Sequence, residues 1–577
     1  MSYSIVLLMG SCFAYYIFSS GYDKKDIRVN LGRFLLSGSF LCAVDYMQDF
    51  NKVSSVYLLF AVVYLLWVFC VPYINYKSYS KKNAVVIDNS REIIVGLLMT
   101  SSLIYIYLLS NICMMKEISF FTICAVFALF SLIPAFFIVH YCIYGICPME
   151  ASIKAINETY WREAKEYIFS HISISQITVN IIGVVVFLGS IYYFYVADDI
   201  TKVENLCVYV GLLLSNIFLI GKNITKINLY GMYKSVKKRA QNDRDYKKYG
   251  SERIVELYTN SVLPDVLAGS VIFIIGESAS RDYMHVYNPQ YKFQNTPWLT
   301  TMKDVSEMTI FGNAFACYNQ TADVLKRVLT EMSQYNSIEF NRAATLIDVA
   351  KKIGYKTYWI SNQGSIAFEN SPEALIAGNA DYVYGNKGSR NFKYDHELLG
   401  YLDCIDPTAN NFIVLHIEGS HGQYKLRYPQ SFGKWPSTDE ESAYNNTLLY
   451  TDLFLEKVHE YAVRKLHLQL MVYFSDHGDN IKYGHHPDVR TPDTVRIPMF
   501  VKVSKEYLEK FPAKVSVMKK NRKEYFSNDM IYNTMLGLMN VRCSRYDAKE
   551  DITSEQYGFN KDNVKTFLGE VMVKDYE

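Results

Sequence analysis

Several residues that could do chemistry stand where strand-like runs end. Glu277 comes just after the apolar residues 271–275, and Asp476-His477 comes just after 470–474. A carboxylate and an imidazole side by side can face one cation, and zinc takes O and N ligands of this kind. The dipeptide could equally be a buried hydrogen-bonded pair with no metal. Glu277 favours the cation, because an unpaired carboxylate at the end of an apolar strand is costly to bury. A helix N-terminus would also answer that cost. His421, His485 and His486 form a second group; with His477 they make four of the chain's 11 histidines. Imidazoles bind metals or carry protons near neutral pH, although each could also be an ordinary surface histidine. A nucleophile is harder to find, since no Gly-x-Ser-x-Gly elbow is present. Thr321 precedes a helical-looking run at 322–332, where the simplest role is an N-cap. A hydroxyl at a helix N-terminus beside a cation would also be a good nucleophile, because both favour its alkoxide.

The elements that must position these groups follow from the pattern of apolar residues. Between 262 and 577, short β-rich runs at 271–275, 356–360, 411–417 and 470–474 alternate with amphipathic stretches such as 337–352 and 443–463. Buried parallel strands joined by crossover helices have this pattern, so we expect an α/β domain with a doubly wound, mainly parallel sheet. Ligands in such sheets bind beyond the carboxyl ends of the strands. The polar clusters after the runs, among them Ser361-Asn362-Gln363 and Glu418-Gly419-Ser420-His421, therefore converge on one edge.

Residues 1–221 are different. Apolar runs occupy 3–20, 34–47, 55–74, 93–114, 120–146, 177–197 and 203–221. A bilayer core of ~30 Å needs about 20 helical residues, and we expect an α-helical transmembrane domain of about seven spans. The run at 3–20 lacks a basic leader and a small-residue cleavage site, so it reads as an uncleaved span. The run at 34–47 is short and carries Asp45. A polar, aromatic loop at 148–172 separates the fifth and sixth spans; its Tyr160 and Trp161 suit the headgroup layer. Residues 222–261, with Lys234, Lys237, Lys238 and Arg239, read as a connector along the membrane surface.

Composition removes other classes. The chain has 577 residues, 50% of them hydrophobic and 15% aromatic, which excludes disorder. Its 59 basic and 57 acidic residues nearly cancel, to a net charge of +2, so no nucleic-acid partner is expected. Of 11 cysteines only Cys317, Cys404 and Cys543 lie beyond the apolar part, leaving room there for at most one bridge.

The order Gly276-Glu277-Ser278, Arg281, Met284, Tyr287, Thr296-Pro297, Thr321, Gly419-Ser420-His421 and Ser475-Asp476-His477-Gly478-Asp479 resembles the bacterial phosphoethanolamine transferases of the alkaline phosphatase/sulfatase superfamily. Lys425-Leu426-Arg427-Tyr428-Pro429, and Glu158-Thr159, Glu163-Ala164 and Glu166-Tyr167 on the membrane side, resemble the branch that decorates the lipopolysaccharide core. The resemblance implies that Glu277, Thr321, Asp476 and His477 hold a catalytic Zn2+, and that Thr321 attacks the phosphorus of phosphatidylethanolamine. It implies that His421 and one of His485 and His486 hold the ethanolamine phosphate or a second zinc, and that Thr159 and Glu163 bind the lipid. The acceptor would be lipopolysaccharide. The protein would sit in the bacterial inner membrane with residues 262–577 in the periplasm.

The chain departs from the family in two ways. It cannot form the several disulfides of the lipid A branch, and it has two spans beyond the usual five. Two spans still separate the Thr159 loop from the α/β domain, which puts both on one side of the membrane. Seven spans from an inside N-terminus then place Lys24, Lys25, Arg28, Lys77, Lys81 and Lys82 outside, against the positive-inside trend.

Three rival readings differ in what they need. A sulfatase needs Cys-x-Pro-x-Arg, whereas Cys317 is followed by Tyr318-Asn319-Gln320-Thr321. A phosphoglycerol transferase of the lipoteichoic-acid type would take another lipid donor. A transporter or sensor would need charges inside its spans, where few lie.

Overall fold

The computed structural model describes residues 3–20, 57–80, 87–113, 116–158, 206–257, 268–363, 371–385, 394–487 and 489–576, together with 33, 188, 189 and 192. It divides into two units, Met1–Lys237 and Lys238–Glu577.

In the first unit the described residues contain four helices long and apolar enough to cross a membrane: Leu58–Tyr79, Ser90–Leu109, Glu117–Tyr144 and Leu206–Ile224. A shorter apolar helix covers Val6–Phe18. Apolar runs fold this way because hydrocarbon leaves each backbone N–H to bond within its own segment. The run at 34–47 and nearly all of 177–197 lie outside the described residues, as do Thr159 and Glu163. Ser90–Cys113 is the best buried of these helices, and its small polar residues bond back to its own carbonyls, Thr100 to Gly96 at 2.8 Å and Ser102 to Leu98 at 2.7 Å. Asn216 Nδ2 donates to Ser101 Oγ at 2.7 Å, a bond between helices of the kind that helps membrane helices associate.

The second unit is built on a seven-stranded sheet. Its strands are β1 (Ser270–Gly276), β2 (Met308–Ile310), β4 (Lys356–Ser361), β5 (Tyr382–Gly385), β6 (Asn411–His416), β7 (Leu468–Ser475) and β8 (Met499–Val503), in the order β2-β8-β7-β1-β6-β4-β5. β7, β1, β6, β4 and β5 run parallel, and β8 pairs antiparallel with both β7 and β2. A short parallel pair, β3 (Asn313–Phe315) with β9 (Tyr525–Ser527), lies outside this sheet. All four expected strand runs are strands. Both faces are covered, which is why the central strands read as unbroken apolar runs. One face packs Ile272, Ile274, Ile413, Leu415 and Tyr473 against Phe454, Leu455 and Val458 of the Glu440–Lys465 helix. The other places Phe273 between Phe412, on which it stacks, and Phe474, whose ring is tilted against it.

The expected helix at 443–463 lies within Glu440–Lys465, whose first turn Asp439 caps through Ser442 N at 2.8 Å. The expected helix at 337–352 is shorter and begins only at Leu346. There Thr345 and Asp348 form a reciprocal capping box, which starts a helix as effectively as an apolar stripe extends one. Cys317, Cys404 and Cys543 are all free.

Candidate active site

The site begins with strand register. β1 and β7 pair with Gly276 opposite Ser475, so the next residues, Glu277 and Asp476, leave the sheet side by side. These strands lie where the chain, having built β4, β5 and β6 on one side of β1, crosses to the other, and a crevice opens at such a reversal. Ser278 turns the chain away with φ 57°, a left-handed conformation that costs a non-glycine residue about 1–3 kcal/mol. It is held there by its N–H on Asp476 Oδ1 (3.1 Å) and its hydroxyl on Glu277 Oε1 (2.7 Å). Gly478, after β7, allows a close backbone approach: a Cβ there would sit 2.1 Å from the Asp493 carbonyl oxygen.

Glu277, Asp476 and His477 are all buried, at 1%, 0% and 0% exposure. His477 Nε2 lies 3.4 Å from Glu277 Oε1 and 3.4 Å from Asp476 Oδ2. His477 Nδ1 is 2.8 Å from the Gly478 carbonyl, a contact that places the ring proton on Nδ1 and leaves the Nε2 lone pair facing the carboxylates. Burial, then the Asp476 charge, pushes the Glu277 carboxyl well above the usual carboxylate range. Burial pulls the His477 imidazole down to about 4, so it is neutral at pH 7. Asp476 Oδ1 accepts two backbone N–H groups, from Ser278 and His477, while Oδ2 finds no donor. Two carboxylates, one of them carrying the unpartnered Oδ2, and a neutral imidazole lone pair converge within 4.8 Å of one another. A divalent cation satisfies this donor set, and two uncompensated carboxylates at this depth would otherwise repel.

Thr321 arrives from the short sheet. β3 and β9 pair Phe315 with Ser527, which brings Asn528 beside the following loop. Asn528 accepts the Cys317 N–H at 2.8 Å and donates to the Asp476 carbonyl at 2.7 Å, tying the loop before Thr321 to the end of β7. Thr321 is the first residue of the Thr321–Val328 helix and Gln320 is its N-cap, so the expected N-cap role of Thr321 is not what the structure shows. Its hydroxyl turns away from the helix, donating to Glu277 Oε2 at 3.1 Å and lying 3.4 Å from His477 Nε2.

His421 and His485 join Glu277 in a second group, again within 4.8 Å of one another, but both are only half-buried. The His485 ring lies 4.4 Å from that of His477 and 5.6 Å from that of His421. His486 belongs to neither group; its carbonyl accepts Asn319 Nδ2 at 3.1 Å. Three contributors were not assigned roles from sequence. Gln363 Nε2 donates to Glu277 Oε2 (3.2 Å) and to the Ile417 carbonyl (3.0 Å). Asp479 places Oδ1 3.3 Å from His485 Nδ1, and Asn528 acts as described. Gln363 and Asp479 both follow strands, and Asp479 also stands in the Ser475–Asp479 stretch that carries the resemblance; Asn528 has no such signal.

The family model described as Sulfatase matches residues 270–541. This stretch is a sulfatase-family domain. Phosphoethanolamine transferase CptA of Salmonella typhimurium is 25% identical over 317 residues, which is 50% of this chain and 54% of the relative. Kdo(2)-lipid A phosphoethanolamine 7''-transferase of Escherichia coli is 25% identical over 325 residues, 51% of this chain and 53% of the relative. The chain thus spans about half the length of the curated relatives it matches. The chain is also similar to the solved structure of the integral membrane protein lipooligosaccharide phosphoethanolamine transferase A of Neisseria meningitidis. That structure aligns with 87% of this chain and 99% of its own, at a TM-score of 0.56 and 17% identity. The sulfatase-family domain opens on β1 and so contains Glu277, Thr321, His421, Asp476, His477 and His485.

Proposed function

We propose that this protein transfers phosphoethanolamine from phosphatidylethanolamine to lipopolysaccharide, by way of a phosphothreonine on Thr321. The observation that carries the reading is the Thr321 hydroxyl, turned from its helix onto Glu277 and His477. Support comes from relatives named for phosphoethanolamine transfer. Thr321 Oγ1 attacks the phosphorus, the bond to the diacylglycerol oxygen breaks, and phosphoethanolamine stays on the threonine. Glu277 Oε2 accepts the hydroxyl hydrogen, and His421 supplies a proton to the departing alkoxide. An acceptor hydroxyl on the lipopolysaccharide then attacks the phosphorus and gives its proton to His421, the bond to Thr321 Oγ1 breaks, and Glu277 returns the hydrogen to the threonine. Glu277, Thr321, Asp476 and His477 would hold Zn2+, which when bound lowers the pKa of the threonine hydroxyl and offsets charge on the phosphoryl oxygens.

His421 and His485 hold the ethanolamine phosphate in this reading, and His485 is preferred to His486 because only His485 reaches Glu277. Thr159 and Glu163 bind the lipid near the membrane surface. Residues 1–221 are the membrane domain in the inner membrane, 222–261 the connector and 262–577 the periplasmic catalytic domain. A core sugar, rather than lipid A, is the acceptor favoured by the stretch Lys425–Pro429. The test is mass spectrometry of lipopolysaccharide from cells with and without the gene, fragmented to separate core from lipid A. A phosphoethanolamine increment on the core is expected, and Thr321→Ala removes it. An increment on neither fragment overturns the reading.

A further inference from the structure

The turn that presents His421 is bonded at every residue from Glu418 to Gly422. Asp395 Oδ1 and Oδ2 accept the N–H groups of Glu418 and Gly419, each at 2.9 Å. Ser420 N donates to the Glu277 carbonyl at 2.9 Å, and His421 N to the Glu418 carbonyl at 3.0 Å. Gly419 has φ +49°, and a Cβ there would stand 2.8 Å from the Glu277 carbonyl oxygen, so the turn lies directly on the backbone of a cation-site residue.

The other side of this turn is held by Arg427. Its Nη1 meets Glu418 Oε2 at 2.6 Å, Nε donates to the carbonyls of His421 (3.1 Å) and Gly422 (3.2 Å), and Nη2 to that of Gly422 (2.7 Å). The paired side chains are only 2% and 7% exposed. Burying an ion pair carries a desolvation cost that is recovered only when geometry is good and the remaining donors are satisfied. Here the guanidinium fork spends its donors on the two carbonyls that follow the His421 Cα and on the Glu418 carboxylate that precedes it. A lysine, a single point of charge without the planar fork, cannot hold both carbonyls and the carboxylate in this arrangement.

We propose that Arg427, paired with Glu418, is a positioning residue that sets where the His421 imidazole stands relative to Glu277 and His485. The proposal rests on the reading of His421 as a group that acts on the transferring phosphoethanolamine. Arg427 does not itself touch substrate; it acts through the backbone of the turn. Misplacing a reacting group by about 1 Å costs roughly 100-fold in rate, so a loosened turn has a measurable effect.

The test uses full-length protein in detergent, with histidines labelled at Cε1 and the His421 signal assigned by its loss in His421→Ala. Arg427→Lys is expected to lower kcat by roughly 10–100-fold and to shift or broaden the His421 signal, with unfolding temperature and zinc content near wild type. Because the two residues act as one unit, Arg427→Lys adds less than about 2-fold in the His421→Ala background. Glu418→Gln, which removes the charge and keeps the shape, carries the same expectations and serves if Arg427→Lys does not fold. Wild-type kcat, an unmoved His421 signal or independent, multiplying losses in the double variant overturns the proposal. Absence of transfer by the wild-type protein overturns the activity reading instead, and the His421 signal then decides the positioning role on its own.

Discussion

Two groups of side chains share Glu277 and differ in what carries them. Glu277, Asp476 and His477 leave the ends of hydrogen-bonded neighbouring strands and are fully buried. His421 and His485 come from loops and are half-buried. Register places Glu277 and Asp476 side by side, because they directly follow the paired Gly276 and Ser475. The second group needs extra ties: Asp395 and Arg427 on the His421 turn, and the Tyr424 hydroxyl on Asp479 at 2.8 Å, which joins that turn to the loop of His485. A rigid, dry group suits an ion that stays, and a partly open one suits a substrate that comes and goes.

The largest expected effect sits between the two groups. Thr321→Ala removes the proposed nucleophile and is expected to lower transfer by about 1,000-fold or more, on the order seen when a covalent catalyst is deleted, while the protein stays folded; transfer near wild type would break the scheme. His477→Ala, in the strand-borne group, lowers zinc affinity by more than the roughly 10–100-fold cost of losing an outer-shell partner, and activity falls with it. Metal analysis after dialysis checks this. His421→Ala, in the loop-borne group, lowers turnover by about 100-fold, the lower end for general acid catalysis, and leaves the tightly held zinc in place. Equal zinc loss in the His477 and His421 variants would erase the distinction between the groups.

Two smaller effects concern the frame. Asn528→Ala leaves the Cys317 N–H and the Asp476 carbonyl without their shared partner, and buried polar groups left unpaired cost about 1–3 kcal/mol each; denaturant titration measures the loss. Asp452 accepts the N–H groups of Trp298 (2.7 Å) and Leu299 (3.1 Å), and burial raises its carboxyl to about 7. An unfolded Asp titrates near ~3.9. A folded value above the unfolded one contributes stability that is complete below ~3.9 and is lost as pH rises through about 7. Asp452→Asn is therefore expected to flatten the fall in unfolding temperature between those pH values. An unchanged slope would mean the carboxyl is ionised in the folded state throughout that range.

Much of the site was legible because strand ends announce themselves. An acid or an imidazole straight after five apolar residues is visible in one chain, and Glu277, Asp476 and His477 were found that way. Thr321 was legible as a position and not as an orientation. The same residue type suits an N-cap or a nucleophile, and only its 3.1 Å contact with Glu277 shows where the hydroxyl points. The helix expected at 337–352 failed at its start, where the capping box of Thr345 and Asp348 set the boundary at Leu346. Gln363 carried only its place after a strand and Asn528 no signal at all, since neutral amides are common in loops and gain meaning from what they bond.

The sequence by itself determined the division into an apolar first part and an α/β second part, and the identity of the strands that end in ligands. Local hydrophobic period and the cost of burying a carboxylate are properties of neighbouring residues, so no fold is needed to read them. Tertiary structure alone decided which of His485 and His486 joins Glu277, that Thr321 faces the cation site, and that Arg427 lies behind His421. The first two depend on segments tens to hundreds of residues apart arriving at one sheet edge, which strand register sets and no single segment encodes; Arg427 is near His421 in the chain, and the fold of the turn between them decides its place.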